Sequence, residues 1–322
     1  MKNQPFVLAL TDVADPQSDP QLRMLANLPH CLANSTEGLS GPATDAEVIL
    51  HWAGSRDLLR SAFLACRNVR WIHSRSAGLD RILFPELVDS SVPLTNGSGV
   101  FSPSLGEFAL AAILYFAKDF RRMLRNQEAG RWEQFDVEEI SGQTVGIVGY
   151  GDIGRAVASR VNAMGMKVLA LKRHAPASPD PLVDQFYAPG ELHSILAMCD
   201  FVVAATPLTP ETHHMISDAA FAAMKPNAVV INIGRGPVID QAALVRALTQ
   251  NRIKGAALDV FEQEPIPAGD PIYKLENVLI SPHCADHTRD WLDRAMHFFL
   301  EQYERFRSGQ PLANVVEKHL GY

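Results

Sequence analysis

A chain of 322 residues, 47% apolar and 20% charged, is long for one hydrophobic core and suits two domains of ordinary composition. Asp and Glu outnumber Lys and Arg by 36 to 29, a net charge of -7. That balance argues against a nucleic-acid or anionic-membrane surface, which would need a basic patch, but not against a small anionic ligand.

The opening "MKNQPFVLALTDVADP" has a short apolar run stopped by Asp12 and Asp15, so it reads as a first strand rather than a signal peptide. No stretch reaches eighteen apolar residues, so no membrane span is expected. Candidate strands follow at Phe6–Leu10, Val48–Trp52, Val69–Ser74 and Val92–Thr95. A helix is expected over 104–127, where apolar positions 108, 109, 112, 113 and 116 repeat at helical spacing. Ser102 and Ser104 are its candidate caps, and Glu107 stands three after Ser104 as in a capping box. Later strands are expected at Thr144–Val148, Lys167–Leu171, Phe201–Ala204, Ala228–Ile233, Gly255–Asp259 and Val278–Ser281. They show almost no polar alternation, the mark of parallel strands covered on both faces. A last helix, over 289–307, returns the tail to the first α/β unit. The expected division is therefore 1–103 with 293–322, and 104–292. Cys31, Cys66, Cys199 and Cys284 form no CxxC pair, so free thiols in a cytoplasmic protein are expected, with neither a metal site nor a disulfide framework.

The sharpest signal is "TVGIVGYGDIGRAVASRVNAMGMKVLALKRH". An apolar strand runs into Gly149, Gly151 and Gly154 at G-x-G-x-x-G spacing; Asp152 and Ile153 open an amphipathic helix, and a second strand follows. Inside a βαβ unit this pattern reads as a dinucleotide site: a tight turn, a close backbone approach to pyrophosphate, and helix N–H groups aimed at the phosphates. An S-adenosylmethionine site is the competing glycine-loop reading, and it fits the third glycine less well. At the end of the second strand an NAD site usually carries an acid; here Lys172 and Arg173 stand instead. They point to NADP(H), with NAD(H) still open if both are simply solvated loop charges.

Three further strand ends carry chemistry. Ile233 ends a strand and Arg235 follows between Gly234 and Gly236, glycines expected to keep the approach to the guanidinium open. Its rigid fork matches a carboxylate, unless it serves an interdomain ion pair. "ALDVFEQEP" ends a strand at Asp259 and reaches Glu264, which is otherwise a surface turn residue. "SPHCA" presents His283 after a strand and a proline, suited to exchange a proton beside a nicotinamide and otherwise a structural histidine.

Over nearly its full length the chain resembles the D-isomer-specific 2-hydroxyacid dehydrogenase family, through "SRSAGLDR", "TNGSGV", "GYGDIGR", "ATPLTPETHHMI", "INIGRGPVID", "ALDVFEQEP" and "SPHCA". The resemblance implies two Rossmann-like doubly wound parallel-sheet domains with an interdomain cleft. It assigns the substrate carboxylate to Arg235 and to backbone amides at Ala77 and Gly78, the acid/base role to His283, and its support to Glu264. Asp259 is implied to contact the nicotinamide amide, and Thr206, Pro207 and Ile233 to line the cofactor site. Many relatives have Asp where this chain has Lys172. A small 2-keto or 2-hydroxy acid, such as glyoxylate or hydroxypyruvate, is the implied substrate, and a homodimer through the cofactor domain the implied assembly. The Phe and Trp of "AGRWEQF" suit that dimer or an ordinary core equally. A non-catalytic dinucleotide sensor is the competing class. A dehydrogenase of phosphorylated hydroxy acids or of a phosphonate is another; it would require further cations, for which Arg75, Arg81 and Arg289 are candidates.

Overall fold

Twelve short strands form among the described residues, 4–174, 176 and 178–321 of the computed structural model. They divide between two units, Met1–Phe101 with Arg289–Tyr322, and Ser102–Thr288. Helices begin at Ser102 and Trp291, close to the two points where the chain passes from one unit to the other.

In the first unit β1 (Val7–Leu10), β2 (His30–Ala33), β3 (Val48–His51), β4 (Trp71–Ser74) and β5 (Leu94–Thr95) form one parallel sheet, ordered β2-β1-β3-β4-β5. β1, β3, β4 and β5 are buried along their whole lengths, which is why they read as apolar runs. β2 was not anticipated: "HCLA" is a half-buried edge strand without an apolar run. Helix α1 (Arg56–Ala65) starts where the Ser55 hydroxyl accepts from Leu58 N at 3.1 Å, and α2 (Pro85–Val88) adds a single turn. The C-terminal helix Trp291–Ser308 packs on this sheet, with Phe299 stacked on Trp71 at 5.5 Å and the Tyr303 hydroxyl donating to Pro5 O at 2.7 Å. The tail then bridges Val315 to Thr95.

Two histidines are sealed into this unit, and both favour the neutral ring. His51 is 7% exposed and His73 1% exposed. Burial pulls them down to about 4 and about 3 respectively. For a base with a depressed folded pKa, the unfolded chain binds more protons, so stability falls as pH drops below the ordinary value of 6.5. Each histidine contributes a slope of about 1.4 kcal/mol per pH unit until its own folded pKa is reached. Chemical denaturation at pH 7 and pH 5 should show a lower midpoint at pH 5, and the difference should shrink in His73→Phe. An unchanged difference in that variant would remove His73 from the effect.

In the second unit the expected single helix over 104–127 is two, α3 (Ser102–Ala117) and α4 (Phe120–Glu128). Asp119 breaks it by taking a left-handed conformation (φ 50°) and capping Arg122 N at 3.3 Å. Neither half of the expected capping box at Ser104 forms: the Ser104 hydroxyl donates to Ala285 O at 2.5 Å, and Glu107 pairs with Arg160 at 3.2 Å. The sheet contains β6 (Thr144–Val148), β7 (Lys167–Leu171), β8 (Gln185–Tyr187), β9 (Phe201–Ala204), β10 (Val229–Asn232), β11 (Gly255–Leu258) and β12 (Val278–Ile280). Their order is β12-β11-β10-β9-β6-β7-β8, all parallel. β8, a three-residue edge strand, also escaped the sequence pattern. Helices α5 (Asp152–Ala163), α6 (Leu192–Leu196), α7 (Asp218–Ala223) and α8 (Gln241–Thr249) connect the strands. Helix α3 lies close on α5 because Gly106 faces Ala156 O, which a β-carbon would approach to 2.9 Å. Trp132 is 96% exposed, so the "AGRWEQF" tryptophan is not a core residue. All four cysteines are free thiols, and no helix among the described residues is long and apolar enough to cross a membrane.

Candidate active site

The strand order of the second unit reverses between β6 and β9, and the glycine turn leaves β6 at that point. Gly149 has φ 102°, and a β-carbon there would lie 2.8 Å from the Ala205 backbone. A β-carbon at Gly154 would come within 2.3 Å of Gly149 O, so the third glycine lets α5 begin against the turn. Gly151, the N-cap of α5, faces open space instead. This is the arrangement a pyrophosphate requires: two glycines spent on packing, and one left for a ligand to approach. Asp152 and Ile153 form the first turn of α5 beside it. Thr206, two residues past β9, lies against the same turn, 7% exposed, with its Oγ1 buried and lacking a partner among the described residues. Such an orphan hydroxyl is costly unless a ligand supplies its hydrogen bond. Pro207 next to it is exposed, and Ile233 at the end of β10 is buried. The residues present fit a dinucleotide.

The end of β7 has no carboxylate of its own. Lys172 is tied by its backbone N–H to Tyr187 O at 3.0 Å, with its ammonium 5.8 Å from the Tyr150 ring centre. Arg173 is exposed, 3.8 Å from Glu211. Asp180 accepts from the Tyr150 hydroxyl and from Arg155 Nε, both at 2.9 Å.

Arg235 follows β10, half-buried, with Nη1 donating to Gly234 O at 2.9 Å. The glycines on either side have a different role from the expected one. A β-carbon on Gly234 would meet Thr206 O at 2.7 Å, and one on Gly236 would overlap the Phe261 carbonyl at 1.9 Å. They are there because backbone from the neighbouring strand ends presses on both, not to clear a path to the guanidinium. Asn232, buried in β10, holds the turn from inside: its Oδ1 accepts from Gly234 N at 3.1 Å and its Nδ2 donates to Arg235 O at 3.0 Å.

Glu264 and His283 follow the next two strands, β11 and β12, and meet at 2.9 Å between Glu264 Oε2 and His283 Nδ1. The other carboxylate oxygen accepts from Phe261 N at 3.0 Å, so the acid is fixed at both ends. A carboxylate at that distance accepts, so Nδ1 donates and Nε2 is left for chemistry. The imidazole is 41% exposed and the carboxylate 17%. His283 itself adopts φ 53°, an uncommon conformation that a neighbour must hold. Asp259 does so: buried at 1% exposure, its Oδ1 accepts from Ser281 Oγ at 2.5 Å and from Cys284 N and Ala285 N, both at 3.0 Å. Burial raises the Asp286 carboxyl in the same loop above its ordinary value, with Asp259 adding to the effect and His287 opposing it.

Ala77 and Gly78 belong to the first unit, in the loop after β4. Asn96 fixes that loop by donating to Ala77 O at 2.7 Å, while the Ala77 and Gly78 N–H groups meet no acceptor among the described residues. Asn96, Asn232 and Ser281 were not singled out in the sequence. Asn232 and Ser281 are each the first polar residue after an apolar run, which was the available signal; Asn96 follows Thr95 and had none.

Residues 110–285 match the family described as D-isomer specific 2-hydroxyacid dehydrogenase, NAD binding domain. A glyoxylate reductase of Korarchaeum cryptofilum is 34% identical over 264 residues, 80% of this chain and 79% of that protein. Among solved structures, a D-isomer specific 2-hydroxyacid dehydrogenase of Xanthobacter autotrophicus Py2, in complex with NADPH and MES, superposes with a TM-score of 0.85 at 30% identity, covering 99% of this chain and 100% of the other. An NADPH-dependent glyoxylate/hydroxypyruvate reductase of Sinorhizobium meliloti, in complex with NADP and sulfate, gives 0.80 at 27% identity, covering 99% and 100%.

Proposed function

The chain belongs to the D-isomer-specific 2-hydroxyacid dehydrogenase family, and from that premise we propose that it is an NADP(H)-preferring reductase of small 2-keto acids such as glyoxylate and hydroxypyruvate. The observation that carries this reading is the 2.9 Å pairing of His283 Nδ1 with a Glu264 carboxylate that is itself anchored. A dinucleotide sensor needs no such proton donor, and the family is one of NAD(P)-dependent oxidoreductases.

Gly149, Gly151, Gly154, Asp152, Ile153, Thr206, Pro207 and Ile233 would hold the dinucleotide, with Asp259 toward the nicotinamide; that cofactor, when bound, supplies the hydride. Arg235 holds the substrate carboxylate through its planar fork, with the N–H groups of Ala77 and Gly78 as further donors. His283 Nε2 gives its proton to the keto oxygen as that oxygen gains charge. Glu264 keeps the ring in the tautomer and orientation this requires, and balances the positive charge of the protonated ring. In the opposite direction neutral His283 takes the proton from a D-2-hydroxy acid.

Support for NADP(H) comes from Lys172 and Arg173 at the end of β7, where no carboxylate stands to hold a ribose hydroxyl. Relatives of the same fold bind NADPH or NADP. The double variant Lys172→Ala, Arg173→Ala should lower the NADPH-over-NADH ratio of kcat/KM by about 10- to 100-fold, the worth of one or two hydrogen bonds to a charged group. A wild-type preference for NADH, in a panel of 2-keto acids run with both cofactors, would overturn the cofactor assignment. The reading extends to a cytoplasmic homodimer, supported by free thiols and by exposed Phe120, Met123, Leu124, Trp132 and Val137. Sedimentation of a monomer at micromolar concentration would contradict the dimer.

A further inference from the structure

The turn that carries Glu264 is anchored beyond its contact with His283. Phe261 N donates to Glu264 Oε1, and the next residue, Glu262, is gripped by two other segments of the same unit. Its N–H donates to Gln241 Oε1 at 3.3 Å, and its own Oε1 accepts from Gln241 N at 2.9 Å. Gln241 is the first residue of α8, so the carboxylate satisfies one of the N–H groups that a helix start leaves free. The same Oε1 lies 2.9 Å from Nε2 of His214, in the segment after β9. His214 stands at φ 50°, a conformation uncommon outside glycine and asparagine. Two contacts hold it there: its N–H donates to Pro237 O at 2.8 Å, and its ring stacks on that of His213 with centres 3.9 Å apart. Segments that follow β9, β10 and β11 therefore meet at one carboxylate oxygen.

Stability is a poor reason for this arrangement. His214 and Glu262 are 37% and 36% exposed, and a pair so open to solvent contributes little to folding. A left-handed histidine aimed at a weak pair points to placement instead. We infer that Glu262 and His214 are positioning residues for the acid/base pair: they fix the turn from Phe261 to Glu264, so that the Glu264 carboxylate meets His283 Nδ1 in one orientation. The inference rests on the roles proposed above for Glu264 and His283. Its effect is exerted through Glu264, whose displacement by about 1 Å is enough to cost up to about 100-fold in rate.

The test is a double-mutant cycle on kcat, with glyoxylate and hydroxypyruvate as substrates and the better of NADPH and NADH at saturation. Glu262→Ala should lower kcat about 10- to 100-fold and leave KM for the keto acid within about threefold. Glu262→Gln keeps an oxygen that accepts from Gln241 N and His214 Nε2, and should recover kcat to within about threefold of wild type. His214→Asn suits the left-handed backbone but falls short of Glu262, and should lower kcat about 3- to 10-fold. In a Glu264→Ala background, adding Glu262→Ala should cost less than about twofold, because the group it positions is gone. Cofactor affinity by fluorescence titration should stay at the wild-type value throughout, which shows that each variant is folded. If Glu262→Ala does not fold, the cycle of His214→Asn with Glu264→Ala decides the same question. Losses that multiply in the double variant would make these residues general structural contacts and overturn the inference. So would wild-type kcat in Glu262→Ala, or no recovery in Glu262→Gln; each of these results leaves the 2-keto acid reading standing. A wild type that reduces neither acid would overturn both.

Discussion

His283→Gln should lower kcat by about 10²- to 10⁴-fold, the usual worth of a positioned general acid. NADPH affinity, measured by cofactor fluorescence titration, should change by less than about threefold. The reason is geometric. Glutamine is close to histidine in reach and can still donate to Glu264 Oε2, as His283 Nδ1 does at 2.9 Å, so the loop should survive. What it lacks is a second nitrogen that exchanges a proton near neutral pH. The loop also has independent anchors, since Asp259 Oδ1 binds Ser281, Cys284 and Ala285 without involving the imidazole. A variant that turns over within about tenfold of wild type would assign the proton to another group.

Arg235→Lys should cost about 100-fold in kcat/KM for a 2-keto acid, about 2.7 kcal/mol at 1.36 kcal/mol per decade. An ammonium supplies charge but no planar pair of donors. One arm of Arg235 already donates to Gly234 O, which fixes the plane of the fork, and lysine cannot hold that bond while presenting two parallel donors to a carboxylate. Equal efficiency in the lysine variant would mean that charge alone suffices at this position. NADPH binding serves as the control, because the glycine turn, Gly149 to Gly154, packs without any contribution from the Arg235 side chain.

The fold was legible wherever strands are buried on both faces. β6, β7 and β9 appear in the structure with the bounds their apolar runs suggested, because a parallel strand covered by helices has no reason to carry polar residues. Edge strands β2 and β8 escaped because one side of each lies outside the sheet, which relaxes the pattern. The helix expected over 104–127 contained a break that periodicity cannot show, since it depends on a single left-handed residue, Asp119.

For the groups proposed to act in catalysis, the sequence by itself determined their residue types and their strand-end addresses: a glycine turn after one strand, then an arginine, a glutamate and a histidine after three later ones. That much follows from local rules, because only certain residue types turn a chain, pair with a carboxylate or exchange a proton. Tertiary structure alone decided how those groups are held. Gly234 and Gly236 are glycines because Thr206 and Phe261, distant in the chain, press on them. His283 stands at φ 53° because Asp259, 24 residues earlier, collects three donors from its loop. The Arg75 guanidinium carbon lies 4.8 Å from the ring centre of Trp52 and 5.3 Å from that of Trp291, neighbours that no local pattern announces. The physical reason is the range of the forces: turn and strand preferences act within a few residues, whereas packing and hydrogen bonding act between atoms that only the folded chain brings within 4 Å.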